Sequence, residues 1–235
     1  ILRRAIKADI LGSCIFYGPP GTGKTTLAHI IAENTNADFV KLNAVTSGVA
    51  DAKKVITEAR ENLRLYGRKT YLLLDECHRW SKAQSDCVLE AIENGTIIFI
   101  GSTTENPYAS MTGAIVSRCR VFEFKRLTVK DIELGIRRAL NSKKGFGDMA
   151  VDISNDAVTG IAIMAGGDLR TALNALELAI LTTKPDKNGV IKITTMEAAE
   201  AIQKKTLGID ESSYYDMLSA FIKSMRGSDS SAAVY

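Results

Sequence analysis

Residues 18 to 25, which read GPPGTGKT, fit the phosphate-binding pattern G-x-x-x-x-G-K-[ST]. Backbone N–H groups of such a glycine-rich loop, with a helix N-terminus behind it, can surround phosphate groups. Lys24 would add a cation beside the β- and γ-phosphates, and the Thr25 hydroxyl can ligate Mg²⁺. The pattern therefore predicts a site for ATP and Mg²⁺ with these binding residues: Gly18, Pro19, Pro20, Gly21, Thr22, Gly23, Lys24, Thr25 and Thr26.

Two acids, Asp75 and Glu76, directly follow the apolar run YLLL at residues 71–74. Adjacent carboxylates at the end of a buried strand are costly unless a cation compensates them. In a parallel sheet the ligand lies outside the carboxyl ends of the strands, which is where these acids would emerge. We expect Asp75 to hold Mg²⁺, directly or through water, and Glu76 to orient and deprotonate the attacking water. N-capping of the following helix would account for one acid, but not for both.

The same four letters, Asp75 to His78, also read as the D-E-x-H box of a large helicase class. Such a helicase needs a second α/β lobe with its own arginine motif, and the helical remainder of the chain leaves no room for one. We therefore interpret His78 as an incidental neighbour that caps or packs beside the site.

Short strands that alternate with helices must position these residues, and this alternation predicts a parallel sheet covered on both faces. The five predicted strands are residues 14–17, 39–42, 71–74, 97–100 and 121–124. Between them, helices are expected through residues 27–31 and at 51–65 and 82–93. Beyond residue 127 the strand signal fades, and the expected helices are 128–140, 154–164, 168–181 and 194–202.

These elements group into three predicted domains. An α/β P-loop domain is expected at residues 1–127, and an all-α lid domain at residues 128–207. An apolar helical face between positions 214 and 225 predicts the start of a third, helical domain at residues 208–235. Because the chain begins with Ile1 and stops at Tyr235 inside a helical pattern, we expect a fragment cut at both ends.

The composition, with 46% apolar and 24% charged residues, is that of an ordinary globular protein. A net charge of +3 is too small to indicate nucleic-acid binding by itself. No apolar run approaches the ~18 residues of a membrane-spanning helix. The four cysteines contain no C-x-x-C pair, which argues against a zinc site and is typical of buried thiols in a reducing compartment.

Further motifs follow the fourth strand. The segment IGSTTENP, residues 100–107, places polar side chains at the carboxyl end of a strand beside the two acids, where they could bridge the γ-phosphate and the water: Thr103, Thr104 and Asn106. SRCR at residues 117–120 precedes the fifth strand, and GGDLRTALNALE at residues 166–177 opens a lid helix. This series resembles an AAA+ ATPase of the clamp-loader and Holliday-junction-motor branch.

Four stretches narrow the resemblance: HRWSKAQSD, GSTTENP, GDLRTALNALE and SAFIKSMRGSD. They are similar to the replication-associated recombination protein A family, which includes the Werner-helicase-interacting protein as a eukaryotic relative. The resemblance implies that Thr104, or alternatively Thr103, is the sensor-1 residue and that Arg118 is an arginine finger for the neighbouring subunit. It also implies that Arg170 is the sensor-2 residue. Since Arg170 lies near a helix start, we expect an anionic partner for it, either phosphate or the local Asp168.

The resemblance further implies a DNA-dependent, Mg²⁺-dependent ATPase that acts in replication-fork maintenance, recombination and repair. The implied partners are forked DNA, single-stranded DNA or DNA ends, further copies of the chain in a homo-tetramer, and a single-stranded-DNA-binding protein, without a membrane. The implied location is cytoplasmic, at the nucleoid in a bacterium or in the nucleus of a eukaryote. Two alternatives stay open: a clamp-loader or Holliday-junction motor subunit, and a protein remodeller that does not act on DNA. Basic clusters could contact DNA or simply face solvent, at Arg60, Arg64, Arg68 and Lys69 and at Lys143 and Lys144.

Overall fold

The computed structural model describes residues 2–8, 11–35 and 37–202. A 3₁₀ turn, Cys77–Arg79, lies between the third strand and the fourth helix. Up to residue 127 the other elements are α1 (Leu2–Lys7), β1 (Cys14–Tyr17), α2 (Lys24–Glu33), β2 (Asp38–Asn43), α3 (Val49–Tyr66), β3 (Thr70–Asp75), α4 (Lys82–Glu93), β4 (Ile97–Thr103), α5 (Pro107–Ser110), α6 (Gly113–Val116) and β5 (Arg120–Glu123). All five predicted strands are confirmed.

Within the described residues, these strands form one parallel sheet in the order β2-β3-β4-β1-β5. The parallel register brings the carboxyl ends of neighbouring strands to one edge. Asp75 lies between Asn43 of β2 and Ser102 of β4, and Tyr17 of β1 lies beside Thr103. The polar residues that end the strands therefore meet at a single edge, as expected for a ligand site in this kind of sheet.

The leucines before the acids divide between two cores because successive side chains of a strand point to opposite faces. Leu72 and Leu74 belong to the core formed with α3 and α4, whereas Leu73 belongs to the core formed with α2. All three leucines are completely buried. Burial on both faces explains why this strand reads as an uninterrupted apolar run.

Capping residues define where several helices begin. The Ser81 hydroxyl accepts a hydrogen bond from the Gln84 N–H at 3.3 Å, and the Gln84 side-chain oxygen accepts one from the Ser81 N–H at 2.9 Å. This reciprocal pair satisfies donors that the first turn of α4 would otherwise leave without partners. Thr128 and Asp131 form the same arrangement at the start of the first lid helix.

The lid contains α7 (Val129–Asn141), β6 (Val151–Ile153), α8 (Asn155–Met164), α9 (Leu169–Thr182), β7 (Ile191–Ile193) and α10 (Thr195–Ala201). It has a core of its own, which draws on every lid helix and includes Ile132, Ile136, Ile161, Leu176 and Ile180. The helical lid is confirmed, but the all-α description needs one correction. β6 and β7 pair in parallel, and three residues each are too few to give a periodic signal in the sequence.

The predicted third domain, residues 208–235, lies outside the described residues, and the domain boundaries stay predictions. In the part of the chain that the structure describes, no helix is both long and apolar enough to cross a membrane.

Candidate nucleotide site

The phosphate loop joins β1 to α2, the strand–loop–helix context that its motif requires. Gly18 has a φ of +140°, and a Cβ there would lie 2.0 Å from the carbonyl oxygen of Phe124. The close approach of the chain after β5 therefore admits only glycine at this position. At the other end of the loop, Gly23 precedes α2 without a side-chain cap, which leaves the N–H groups of the first turn available to an anion.

Lys24 places a cation in the fold of the loop. Its Nζ donates hydrogen bonds to the carbonyl oxygens of Gly18, at 2.6 Å, and Pro19, at 2.8 Å. Burial lowers the pKa of Lys24 from its ordinary value, while Glu76 and Asp75 act in the opposite direction. Backbone oxygens therefore hold the ammonium near the two carboxylates. From this position it can contact the oxygens of a phosphate bound in the loop.

The two acids differ in environment. Asp75 is the last residue of β3, and its Oδ2 lies 3.3 Å from the Nζ of Lys41 on the neighbouring strand. Glu76 has φ 55° and ψ 40°, and among the described residues it is the one non-glycine residue with a positive φ. Left-handed backbone costs a residue with a Cβ roughly 1–2 kcal/mol, and such strain clusters at functional sites. Both carboxylates are partly exposed in the structure, and Lys24 and Lys41 are the cations near them.

One cavity of about 380 Å³ collects most of the predicted residues. It lies where the carboxyl ends of the strands meet the start of α2 and the start of α9. The predicted residues that line it are Pro20, Gly21, Thr22, Gly23, Lys24, Thr25, Thr26, Asp75, Glu76, Thr104 and Arg170.

Several lining residues were not predicted from the sequence: Asn43, Ser102, Leu169, Leu173 and Asn174. Asn43 ends β2, and Ser102 is the register partner of Asp75. Both are polar residues at strand ends, which is the signal that pointed to Thr104. Asn43 belongs to no quoted motif, and Ser102 lies in IGSTTENP, where the predictions named the threonines and Asn106. The other three, Leu169, Leu173 and Asn174, belong to α9, the helix whose Arg170 is the predicted site residue.

Other residues selected from the sequence lie elsewhere. Thr103 is buried, and its hydroxyl lies 2.8 Å from Nδ1 of His78 rather than in the cavity lining. The Asn106 side chain caps α5 by accepting the Tyr108 N–H at 3.1 Å. Gly18 and Pro19 do not line the cavity themselves, but they hold Lys24 through their carbonyl oxygens. Thr104 is therefore the one of the two candidate sensor threonines that lines the cavity.

Arg118 follows α6 on an exposed surface and is not among the described residues that line the cavity. Its Nε donates to the Glu93 carboxylate at 2.5 Å, and Nη1 donates to the Ala114 carbonyl oxygen at 2.7 Å. An ion pair with Glu93 thus holds the guanidinium at the surface of its own chain, away from its own cavity.

The lid contacts the phosphate loop directly. The N–H of Leu169 donates to the carbonyl oxygen of Gly21 at 3.2 Å. Asp168 caps α9, since its Oδ1 accepts the Thr171 N–H at 3.1 Å. Arg170 therefore enters the cavity from a helix start whose backbone is bonded to the loop. A nucleotide in this cavity would touch both domains.

The oxygen donors of the cavity fit a magnesium ion that shares a nucleotide's phosphates. Thr25 offers a hydroxyl and Asp75 a carboxylate, and both face the same cavity. Across residues 2–8, 11–35 and 37–202, no group of three His, Cys, Asp or Glu side chains could hold a metal ion alone. Mg²⁺ commonly takes one or two protein oxygens and completes its shell with water and phosphate oxygens, which suits this pair.

Comparison with known families assigns both parts of the chain. Residues 14–127 match the ATPase family associated with various cellular activities (AAA). Residues 147–226 match the AAA C-terminal domain. The two matches correspond to the P-loop domain and to the lid with the residues that follow it.

Curated relatives match along the whole chain. Replication-associated recombination protein A of Bacillus subtilis (strain 168) is 44% identical over 238 residues, with 100% of this chain and 55% of the relative covered. The protein of that name from Escherichia coli (strain K12) is 42% identical over 237 residues, with 100% and 53% covered. ATPase WRNIP1 of Dictyostelium discoideum is 39% identical over 252 residues, with 100% and 29% covered. The chain thus spans about half the length of the bacterial relatives it matches.

Solved structures share the fold. The Thermotoga maritima RuvB Holliday junction branch migration motor superposes with a TM-score of 0.66 at 25% identity, covering 95% of this chain and 72% of that chain. The FIGL-1 AAA domain in complex with ADP gives 0.65 at 16% identity, covering 95% and 84%, and shows the fold alone. With its sheet, its lid and these relatives, the chain belongs to the AAA+ ATPases of the replication-associated recombination protein A and WRNIP1 family and carries the ATPase domain of that family.

Proposed function

We propose that this chain hydrolyses ATP with Mg²⁺, in response to DNA, as part of a homo-oligomer that maintains replication forks and acts in recombination and repair. The observation that carries the proposal is the single cavity that joins the phosphate loop, both acids, Thr104 and Arg170. These groups are the ones that phosphoryl transfer to water needs, namely a phosphate cradle, oxygen ligands for the metal, a base and cations for developing charge.

In this proposal the binding groups come from the phosphate loop. The backbone of residues 18–26 and the Lys24 ammonium hold the β- and γ-phosphates. Thr25 and Asp75 hold Mg²⁺, and the Asp75 side chain exchanges its Lys41 partner for the metal. The Lys41 side chain is 44% exposed, which supports the exchange, because solvent-accessible ion pairs contribute little free energy.

The hydrolytic groups come from four different parts of the fold. Glu76 accepts a proton from the attacking water, and Thr104 orients that water and the γ-phosphate. Arg170 adds positive charge from the lid. Arg118 acts as an arginine finger in the site of a neighbouring subunit, which is supported by its exposed position outside its own cavity.

DNA as the activating partner is supported by the relatives, two of which are named for a role in replication-associated recombination. The described surface adds exposed cations that could meet a phosphate backbone. Arg60, Arg64 and Lys69 are exposed at the end of α3 and beyond it, whereas Arg68 is paired with Asp38 at 3.2 Å.

We include forked DNA, single strands and DNA ends as substrates, a homo-tetramer as the assembly, and a single-stranded-DNA-binding protein as a partner. The corresponding location is cytoplasmic, at the nucleoid or in the nucleus.

The fold alone does not select among related functions. A Holliday junction motor and the FIGL-1 AAA domain superpose on the chain with nearly equal TM-scores, 0.66 and 0.65. A clamp-loader or junction-motor subunit and a remodeller of protein partners are therefore the competing outcomes of the test below.

The test measures ATP turnover by the intact protein with no DNA, with single-stranded DNA, with a forked duplex and with a four-way junction. We expect single-stranded or forked DNA to raise turnover, and the Glu76→Gln variant to show none under any condition. Log affinity for duplex DNA should fall linearly with log salt, by about 0.9 per neutralised phosphate. Turnover that ignores every DNA would support the remodeller, and stimulation by the junction alone would support the motor.

A further inference from the structure

His78 makes contacts that an incidental neighbour would not make. Its side chain is only 7% exposed, beside the last residues of β3 and β4. Nδ1 lies 2.8 Å from the hydroxyl oxygen of Thr103, and Nε2 lies 3.4 Å from the carboxylate of Glu105. The same Thr103 hydroxyl oxygen accepts the backbone N–H of Glu105 at 3.0 Å. These groups form a closed ring of polar contacts between the 3₁₀ turn after β3 and the loop after β4.

The chemistry of the partners fixes the hydrogens in this ring. The Glu105 carboxylate is only an acceptor, so Nε2 must carry the hydrogen that points at it. In the neutral imidazole Nδ1 is then the acceptor, and the Thr103 hydroxyl donates to it. The hydroxyl oxygen accepts from the Glu105 N–H, so the Thr103 hydroxyl has a partner for its hydrogen and for its oxygen, while Nε2 faces the carboxylate at 3.4 Å. A network of this kind restricts the groups in it to few arrangements.

Two proposed hydrolytic residues are attached to this ring. Thr104 stands between Thr103 and Glu105, so the ring fixes the backbone on both sides of the side chain that lines the cavity. Glu76 is two residues before His78, so the backbone of the 3₁₀ turn attaches it to the ring, while its Oε2 lies 3.6 Å from Nδ1, beyond hydrogen-bond distance. The backbone of Glu76 is in the left-handed region, a conformation that persists only when its surroundings enforce it. His78 therefore lies where it can hold both groups at once.

We propose that His78 is a positioning residue for ATP hydrolysis, which joins the base Glu76 to the sensor Thr104 through the Thr103 hydroxyl and the Glu105 carboxylate. This inference rests on the proposed function, since it concerns the geometry of the attacking water. His78 does not line the nucleotide cavity. Its loss should therefore lower turnover while leaving ATP binding in place, because the phosphate loop contacts Thr103 through the backbone, where the Gly18 N–H donates to the Thr103 carbonyl oxygen at 3.2 Å, and not through the side chains of the ring.

The experiment measures kcat and KM for ATP, with the dissociation constant for ATP, in variants of the intact protein. His78→Phe keeps a flat ring but removes both nitrogens, and we expect kcat to fall about tenfold to a hundredfold with ATP affinity within about twofold. In His78→Asn the side-chain amide can still pair with the Thr103 hydroxyl, so it should retain more turnover than His78→Phe. His29 is the matched control, because it is exposed on α2, with its ring centroid 4.5 Å from that of Phe39 in a tilted arrangement. His29→Phe should match the parent.

A double-mutant cycle separates the ring from simple packing. Thr103→Val removes the hydroxyl at nearly constant volume and should lower kcat, and adding His78→Phe should then cost much less than it costs alone. Additive losses, parental kcat in His78→Phe, or an equal loss in kcat and affinity would each overturn the proposal. If His78→Phe fails to fold, the cycle is run with His78→Asn.

The Glu76→Gln variant distinguishes a failure of the proposed hydrolytic function from a failure of the role proposed for His78. Turnover that survives in Glu76→Gln would refute the assigned hydrolytic role, whatever the His78 variants do. Turnover that vanishes in Glu76→Gln but persists at the parental rate in His78→Phe would refute the role of His78 alone.

Discussion

Gly21 of the phosphate loop and Asp168 of the lid lie so close together that a Cβ on the glycine would sit 1.8 Å from Oδ1 of the aspartate. The next lid residue, Leu169, donates its N–H to the carbonyl oxygen of the same glycine at 3.2 Å. The glycine has a φ of +67°. The loop and the lid are therefore in contact through backbone at a position where no side chain fits.

A substitution at this glycine should separate the lid from the loop. We expect Gly21→Ala to weaken ATP binding about tenfold or more, because the new methyl group displaces the N-terminus of α9 and with it Arg170. The measurement is the dissociation constant for ATP together with the free energy of unfolding. Gly67→Ala is the matched control, since Gly67 has a φ of +61° with nothing within 4 Å of its Cβ position. The control should lose ~1 kcal/mol of stability through backbone strain and keep parental affinity. Equal affinity in the two variants would show that the contact does not matter for binding.

Much of the fold could be predicted because long or strongly apolar elements carry their own signal. The helix predicted at residues 82–93 has those bounds in the structure, where the Ser81–Gln84 capping box defines its start. The buried strand before Asp75 was recognisable from its apolar run. In contrast, β6 and β7 have three residues each, and Val151 of the first strand pairs with Ile191 of the second, far along the sequence. No local pattern in the sequence predicts such a pairing, because three residues form a strand here only when the distant partner strand lies beside them.

The candidate site could be predicted where the chemistry is concentrated in a motif. Residues 20–26 of the phosphate loop and the two acids line one cavity, and their roles in it stay predictions. Asn43 reaches the cavity only because β2 lies beside β3, and no pattern in the sequence predicts that these two strands are neighbours. The interpretation of His78 as an incidental neighbour that caps or packs beside the site gives its location but none of its polar contacts. Its bond to Thr103 was not predicted, since it depends on the register between two strands.

The pH dependence of stability should report the state of Lys24. Burial lowers its pKa below the ordinary value near 10.5, so between the two values the folded chain binds fewer protons than the unfolded chain. Stability therefore rises with pH through this window for the lysine's contribution. The measurement is the free energy of unfolding of the parent relative to Lys24→Met, without nucleotide, from neutral to alkaline pH. We expect the free energy of unfolding of the parent to increase relative to that of Lys24→Met as pH rises.

ATP affinity should change in the opposite direction over the same window. Phosphate binding needs the charged ammonium, so affinity should begin to fall at a lower pH than an ordinary lysine would give. A parent whose affinity stayed constant up to the ordinary lysine range would contradict the lowered pKa.

Nucleotide binding and hydrolysis should separate at Lys24 and Glu76. Lys24→Ala should weaken ATP binding, because it removes the cation that the loop holds beside the phosphates. Glu76→Gln should keep binding and lose turnover, since the amide fits the same space but cannot take a proton. Binding is measured with a fluorescent ATP analogue and turnover by phosphate release. Parental hydrolysis in Glu76→Gln would remove the residue from water activation.

The Arg118 prediction tests the assembly as well as the residue. If the finger acts in trans, one chain supplies Lys24, Asp75 and Glu76, and its neighbour supplies Arg118. Such fingers contribute ~10³ to 10⁵ in rate, because their charge offsets the charge that develops on the transferred phosphoryl group. Lys24→Ala and Arg118→Ala should therefore each be nearly inactive alone. Glu93→Gln, which loosens the ion pair that now holds the guanidinium, should stay active and is the control for the local surface.

Mixing the two inactive variants in equal amounts should restore turnover. An intact site forms wherever an Arg118→Ala chain binds ATP and faces a Lys24→Ala chain that still has its arginine, which for random head-to-tail mixing is about a quarter of the interfaces. A finger that acted in its own chain, or an arginine that served only its ion pair with Glu93, could not be rescued in this way. Subunit exchange is confirmed separately by energy transfer between labelled chains. If the subunits exchange and turnover does not return, Arg118 has no part in the active site.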